Sequence, residues 1–105
     1  HVEDLATAHL DALAYLRDGG KSATLNCGYG HGYSVREVLA AVERNSGVTL
    51  VKKEEPRRAG DPPTLVAAAD RIRSALGWKP RFDDLDMIVS TALRWEQRLL
   101  KQPAE

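Results

Sequence analysis

Apolar positions recur at helical spacing along much of the chain. Leu5, Ala8, Ala12 and Leu16, with Leu13 beside them, fall on one stripe and predict a helix over residues 3–17. Glu3 and Asp4 place negative charge in its first turn, where the helix dipole favours it, and Asp18-Gly19-Gly20 stops it. Ser34 and Glu37 form a Ser-x-x-Glu capping box that opens a second helix at about residues 35–46. Its buried face is read as Val35, Val38, Leu39 and Val42, and Gly47 is placed to cap its C-terminus. A short helix holding Ile72, Ala75 and Leu76 is expected between Asp70, read as its cap, and Gly77. Trp78-Lys79-Pro80 then makes a rigid exit with the indole in the core. Leu85, Ile88, Val89, Ala92, Trp95 and Leu99 predict a last helix from about Asp84 to Leu100, with Asp83, Asp84 and Asp86 at its N-terminus. Gln102 to Glu105 reads as a frayed tail.

Between the helices, three short runs read as strands: Ala23 to Cys27, Val48 to Lys52 and Thr64 to Ala68. The resulting order is helix, strand, helix, strand, strand, helix, helix. That is an α/β pattern of about four helices with two or three short strands, too few for a complete doubly wound sheet. Such a piece is expected to lean an open apolar face on something else and, alone, to self-associate.

Length and composition narrow the picture. At 105 residues, one domain at most is expected. Fifteen basic residues balance fifteen acidic ones, which gives no support for a nucleic-acid or membrane-surface partner. No apolar run is long enough to span a bilayer. Cys27 is the only cysteine, which excludes an internal disulfide and fits a cytoplasmic location. The chain begins at His1 without Met and enters a helical pattern at once, so it is expected to be a piece of a longer polypeptide.

Candidate chemistry gathers in Glu55-Pro56-Arg57-Arg58-Ala59-Gly60-Asp61-Pro62-Pro63. Two adjacent arginines, a glycine and an aspartate on a proline-stiffened turn can make an anion site, because the guanidinium fork matches phosphate oxygens. The same residues read equally well as solvated loop charges, or as an Asp61–Arg pair that only holds the loop. Elsewhere the chemistry is sparse. Gly28-Tyr29-Gly30-His31-Gly32-Tyr33 has the spacing Gly-x-Gly-x-Gly, with Tyr33 where the third glycine of a dinucleotide fingerprint belongs. A structural turn accounts for it. His1, His9 and His31 lack metal-ligand spacing, and no Gly-x-Ser-x-Gly elbow or Tyr-x-x-x-Lys pair is present. No catalytic or metal-binding set is therefore expected within these residues.

Four segments together resemble the C-terminal part of the nucleotide-sugar epimerases of the extended short-chain dehydrogenase/reductase (NAD-dependent epimerase/dehydratase) family. They are His1-Val2-Glu3-Asp4-Leu5-Ala6; Leu25-Asn26-Cys27-Gly28 with Tyr33-Ser34-Val35-Arg36-Glu37-Val38; Pro56-Arg57-Arg58-Ala59-Gly60-Asp61-Pro62; and Ala69-Asp70 with Leu76-Gly77-Trp78-Lys79-Pro80. The resemblance covers essentially the whole chain. It implies that residues 1–105 are one C-terminal substrate-binding lobe of an isomerase of galactose metabolism. The Rossmann domain, the bound NAD and the Tyr/Lys/Ser catalytic set would then lie upstream in the same polypeptide. The implied reaction oxidises C4 of a UDP-hexose, rotates the keto intermediate and returns the hydride to its other face. By family position, Arg58 would bind the UDP phosphates and Asp61 would accept from the ribose hydroxyls. Arg57 would be a neighbouring loop charge, and His1, Asp4 and Asn26 would be structural. Leu65 stands where the family is often aromatic, which leaves sugar or nucleotide specificity open. The parent would be a homodimer, and the lobe alone inactive and unable to bind NAD. Two rival readings are a lobe of a related dehydratase, decarboxylase or other-sugar epimerase, and a stand-alone nucleotide-binding or interaction module without catalysis.

Overall fold

Four helices carry the fold: α1 (Val2–Arg17), α2 (Val35–Ser46), α3 (Asp70–Leu76) and α4 (Leu85–Leu99). The computed structural model describes residues 1–101, so the tail expected at Gln102 to Glu105 lies outside the described residues. The chain divides into two compact units, residues 1–32 with 62–83 and residues 33–61 with 84–105.

In the first unit α1 packs on α3. Its core is Ala8, Ala69, Ile72 and Trp78, with Leu25 and Leu76 packed at the edge. Trp78 is the largest buried side chain, and its indole Nε1 donates to the Asp4 carbonyl (3.1 Å) and the Thr7 hydroxyl (3.2 Å). Small Ala8 lets α1 approach, whereas Leu5, Leu13 and Leu16 of the expected stripe remain exposed. Helix α1 ends at Arg17, where the Gly19 amide bonds the Leu16 carbonyl (3.1 Å). Helix α3 is capped at its start by Ala69, with no side-chain cap, so Asp70 is its first residue and does not cap it.

In the second unit α2 packs on α4. The capping box forms as expected: the Ser34 hydroxyl accepts from the Glu37 amide (3.2 Å), and the Glu37 carboxylate accepts from the Ser34 amide (2.7 Å). Gly47 closes the helix in the left-handed region, at φ 70°. Asp84 caps α4 through the Met87 amide (2.7 Å). The contact closes on Ala41, which is fully buried, and on Val89. Val35 and Val38 of the expected α2 face, and Trp95 and Leu99 of the expected α4 face, are exposed.

The three predicted strands do not form: no strand occurs among the described residues. The α/β expectation is corrected to a small helical fold with extended connections. The reason is local. In Val48–Lys52 the Leu50 amide, which a ladder would use, donates instead to the Glu43 carboxylate of α2 (2.9 Å). Thr64–Ala68 passes Gly28–Gly32 at glycine-only distance. A Cβ at Gly28 would sit 2.8 Å from that of Ala67, and one at Gly32 would sit 3.1 Å from Val66 Cγ2. The Ala23–Cys27 run has no ladder partner, and β propensity expresses packing against neighbours more than backbone preference.

Candidate functional site

The arginine loop belongs to the second unit and is led in by a chain pinned to α2. Glu43 accepts from the Leu50 amide and from Lys52 Nζ (2.8 Å); these bonds, the lysine's first, hold its carboxyl below the ordinary value. Arg36 pairs with Glu54, and Lys53 with Glu55. The charged run 52–55 is thus used up in ion pairs before the two arginines begin.

At the turn itself Gly60 takes φ 87°, a region open to glycine at no steric cost. The Asp61 amide reaches back to the Arg58 carbonyl (3.4 Å). Arg58 Nε donates to Asp61 Oδ2 at 3.0 Å, and Arg57 Nη2 donates to the Asp61 main-chain carbonyl at 2.9 Å. The Arg58 side chain is 85% exposed and that of Asp61 49%. The two residues singled out by sequence are therefore adjacent and open to solvent, and they are paired with each other. An exposed pair of this kind adds little to stability, about 0–1 kcal/mol. Its chemical capacity is to offer a forked cation and a carboxylate side by side, suited to a phosphate and to hydroxyl groups.

A buried carboxylate in the first unit has the opposite character. Asp4, in the first unit, is 2% exposed. Its Oδ1 accepts from the Arg81 amide (2.8 Å), and its Oδ2 accepts from the Phe82 amide (2.9 Å) and the Tyr29 hydroxyl (2.9 Å). Burial alone would push this carboxyl up; the Arg81 and Phe82 amides and the Tyr29 hydroxyl outweigh it and hold it below the ordinary value. The His1 ring stacks on Phe82 at 4.4 Å, and His31 Nε2 lies 2.7 Å from Asp83 Oδ1. Tyr29 is pushed well above its ordinary value by burial, its bond to Asp4 and the nearby carboxylates Asp4 and Asp83. A tyrosine so shifted is unsuited to acid/base work near neutral pH. The helix position marks Asp4 as a dipole charge and the resemblance makes it structural; in the structure it is a buried clamp joining α1 to residues 78–82. Nothing in the local pattern marks those donors, which lie more than seventy residues away.

The glycine-rich stretch does not fit a dinucleotide cradle. Gly28 and Gly32 face Ala67 and Val66 at the distances given above, so their missing side chains are accounted for by chain packing. The first amides of α2, the helix that follows, are capped by Ser34, and the Glu37 carboxylate bonded there would repel a diphosphate. No group of His, Cys, Asp and Glu among the described residues could hold a metal ion. No described helix is long and apolar enough to cross a membrane.

Comparison with known proteins gives this geometry its context. No protein-family model matches the chain. It is 57% identical over 99 residues to a UDP-glucose 4-epimerase from Azospirillum brasilense, a match covering 94% of this chain and 28% of that protein. It is 47% identical over 97 residues to one from Lacticaseibacillus casei, covering 92% and 29%. Among solved structures, a UDP-Glc/GlcNAc 4-epimerase from Campylobacter jejuni superposes with TM-score 0.84 at 46% identity, covering 93% of this chain and 30% of that one. A Stenotrophomonas maltophila UDP-glucose 4-epimerase, determined with NAD and formylated UDP-arabinopyranose bound, gives TM-score 0.80 at 42% identity and covers 94% and 30%. The chain spans just under a third of the length of these relatives. In sequence and in fold the chain is similar to the C-terminal part of UDP-glucose 4-epimerases, which are isomerases.

Proposed function

We propose that residues 1–105 are the UDP-sugar-binding lobe of an NAD-dependent enzyme that interconverts UDP-glucose and UDP-galactose in the cytoplasm. The lobe acts within a longer, homodimeric polypeptide whose Rossmann domain holds NAD and the catalytic tyrosine and lysine. NAD supplies the redox chemistry at the sugar; this lobe holds the nucleotide end. Arg58 takes the diphosphate through its guanidinium fork, and Asp61 accepts from the ribose hydroxyls. The observation that carries this reading is the 57% identity over 99 residues to a protein of that activity, together with an exposed Arg58–Asp61 pair on a turn.

Solvent-facing leucines along α1, and Trp95 and Leu99 on α4, support a lobe that is covered by other protein. The lobe expressed alone is expected to self-associate, and a clean monomer by light scattering at about 1 mg/mL would contradict that. The full-length polypeptide should turn over UDP-galactose, and residues 1–105 alone should not. Turnover by the lobe alone would refute this division of labour. Turnover of UDP-glucuronate or dTDP-glucose in place of UDP-galactose would move the protein to the related decarboxylases or dehydratases. In the full-length enzyme, Arg58→Ala should weaken UDP-sugar binding by about 1.5–3 kcal/mol, the scale of a lost charge-assisted hydrogen bond. Unchanged affinity would remove Arg58 from the site.

A second substrate follows from Leu65. It stands where the resemblance leads one to expect an aromatic ring, and the similar Campylobacter jejuni enzyme is named for UDP-GlcNAc as well. UDP-GlcNAc therefore belongs in the same assay.

A further inference from the structure

We propose that Arg57 is a positioning residue for the nucleotide site, acting through Asp61 and not on the phosphates. Both arginines of the loop converge on Asp61, but on different atoms. Arg58 Nε takes the carboxylate at 3.0 Å, and Arg57 Nη2 takes the main-chain carbonyl at 2.9 Å. The Arg57 bond spans the turn and fixes the peptide that carries the Asp61 side chain. The Asp61 carboxylate in turn fixes the Arg58 guanidinium by its inner nitrogen, leaving both terminal nitrogens for a ligand. The turn is closed beneath them by the Asp61 amide on the Arg58 carbonyl (3.4 Å) and by Gly60 at φ 87°. Arg57 thus sets the aim of two ligand-facing groups at once. A guanidinium suits this task because it reaches across four residues and holds a planar donor on a neutral oxygen.

The inference rests on the reading of Arg58 and Asp61 given above, and the test separates the two. Arg57→Ala and Arg58→Ala are compared with the unaltered full-length enzyme for binding of UDP and of uridine, by ligand-detected NMR, which reads weak affinities. A residue that only touches phosphate affects UDP and leaves uridine alone. A residue that aims both Arg58 and Asp61 affects both ligands. Arg57→Ala should weaken UDP and uridine alike, by about 2- to 10-fold, the scale of one intramolecular hydrogen bond. The melting temperature should stay that of the parent, since the loop lies outside both cores. A loss confined to UDP would make Arg57 a direct phosphate ligand, and no loss would make it an idle loop charge; either result overturns the proposal. A loss for both ligands accompanied by a lowered melting temperature would also overturn it, as damage to the fold. If Arg58→Ala leaves UDP binding unchanged, the underlying reading fails, whatever Arg57 does.

Discussion

Asp4 and Asp61 both take hydrogen-bond donors, and they do so for opposite ends. Asp4 is buried and has its oxygens filled by two amides and a tyrosine hydroxyl. Asp61 is half exposed, and its carboxylate is held by one guanidinium nitrogen. Burial makes the first a joint, because leaving its donors unpaired would cost the full desolvation of each. Exposure makes the second available, because water and ligand can exchange at little cost. Of this pair, the buried acid with both oxygens filled is spent, and the exposed acid with one flexible partner is open to a ligand.

That contrast can be broken in several ways. Trp78→Ala should have the largest effect on stability, about 3–5 kcal/mol by chemical denaturation, since it empties the centre of the first unit's core. A loss under about 1 kcal/mol would mean the indole is not where that unit's stability lies. Asp4→Ala should come next, at about 2–4 kcal/mol, as it strands the Arg81 and Phe82 amides and the Tyr29 hydroxyl. Asp4 also gives a pH signature. Its carboxyl is held below the ordinary value in the folded state, so the unfolded chain binds the proton first. The stabilisation is complete above the ordinary aspartate range and is lost as pH falls through the folded value. Asp4→Asn should flatten that acid limb; an unchanged limb would assign it to other carboxylates.

Smaller effects sharpen the comparison from the second unit. Ser34→Ala should cost about 1 kcal/mol through loss of the helix cap, visible as fraying of α2 in amide exchange. Arg58→Ala should change stability by no more than about 0.5 kcal/mol while it weakens UDP-sugar binding, the reverse of Asp4→Ala. If the two substitutions shift stability equally, the distinction between joint and usable acid collapses.

The sequence carried the helices well and their contacts poorly. Capping chemistry is local, so Ser34, Glu37 and Gly47 announced their roles, whereas Asp70 reads as a cap and Asp84 as a dipole charge until the structure places Asp70 inside α3 and makes Asp84 the cap of α4. Burial is not local. Ala41 is the closest-packed residue of α2, yet a small side chain carries almost no signal in a hydrophobic pattern, and larger Val35 drew the eye instead. The β-branched run at 48–51 looked like a strand because the pattern is blind to Glu43, which takes the Leu50 amide. The proposed roles of Arg58 and Asp61 rest on resemblance, since charge chemistry alone leaves the loop ambiguous. The Arg57 bond is invisible to a sequence pattern because its partner is a main-chain oxygen.

The Glu43 contact has a consequence for the behaviour of this protein among its own copies. An extended, β-branched run at a surface is a template for cross-molecular sheet growth wherever its amides are unengaged. Glu43 occupies one of those amides and stations a charge beside it, an arrangement expected to disfavour fibrillar association. Replacing Glu43 with Ala should raise light scattering on storage at unchanged helix content, whereas equal scattering would show that Val48–Val51 needs no guard.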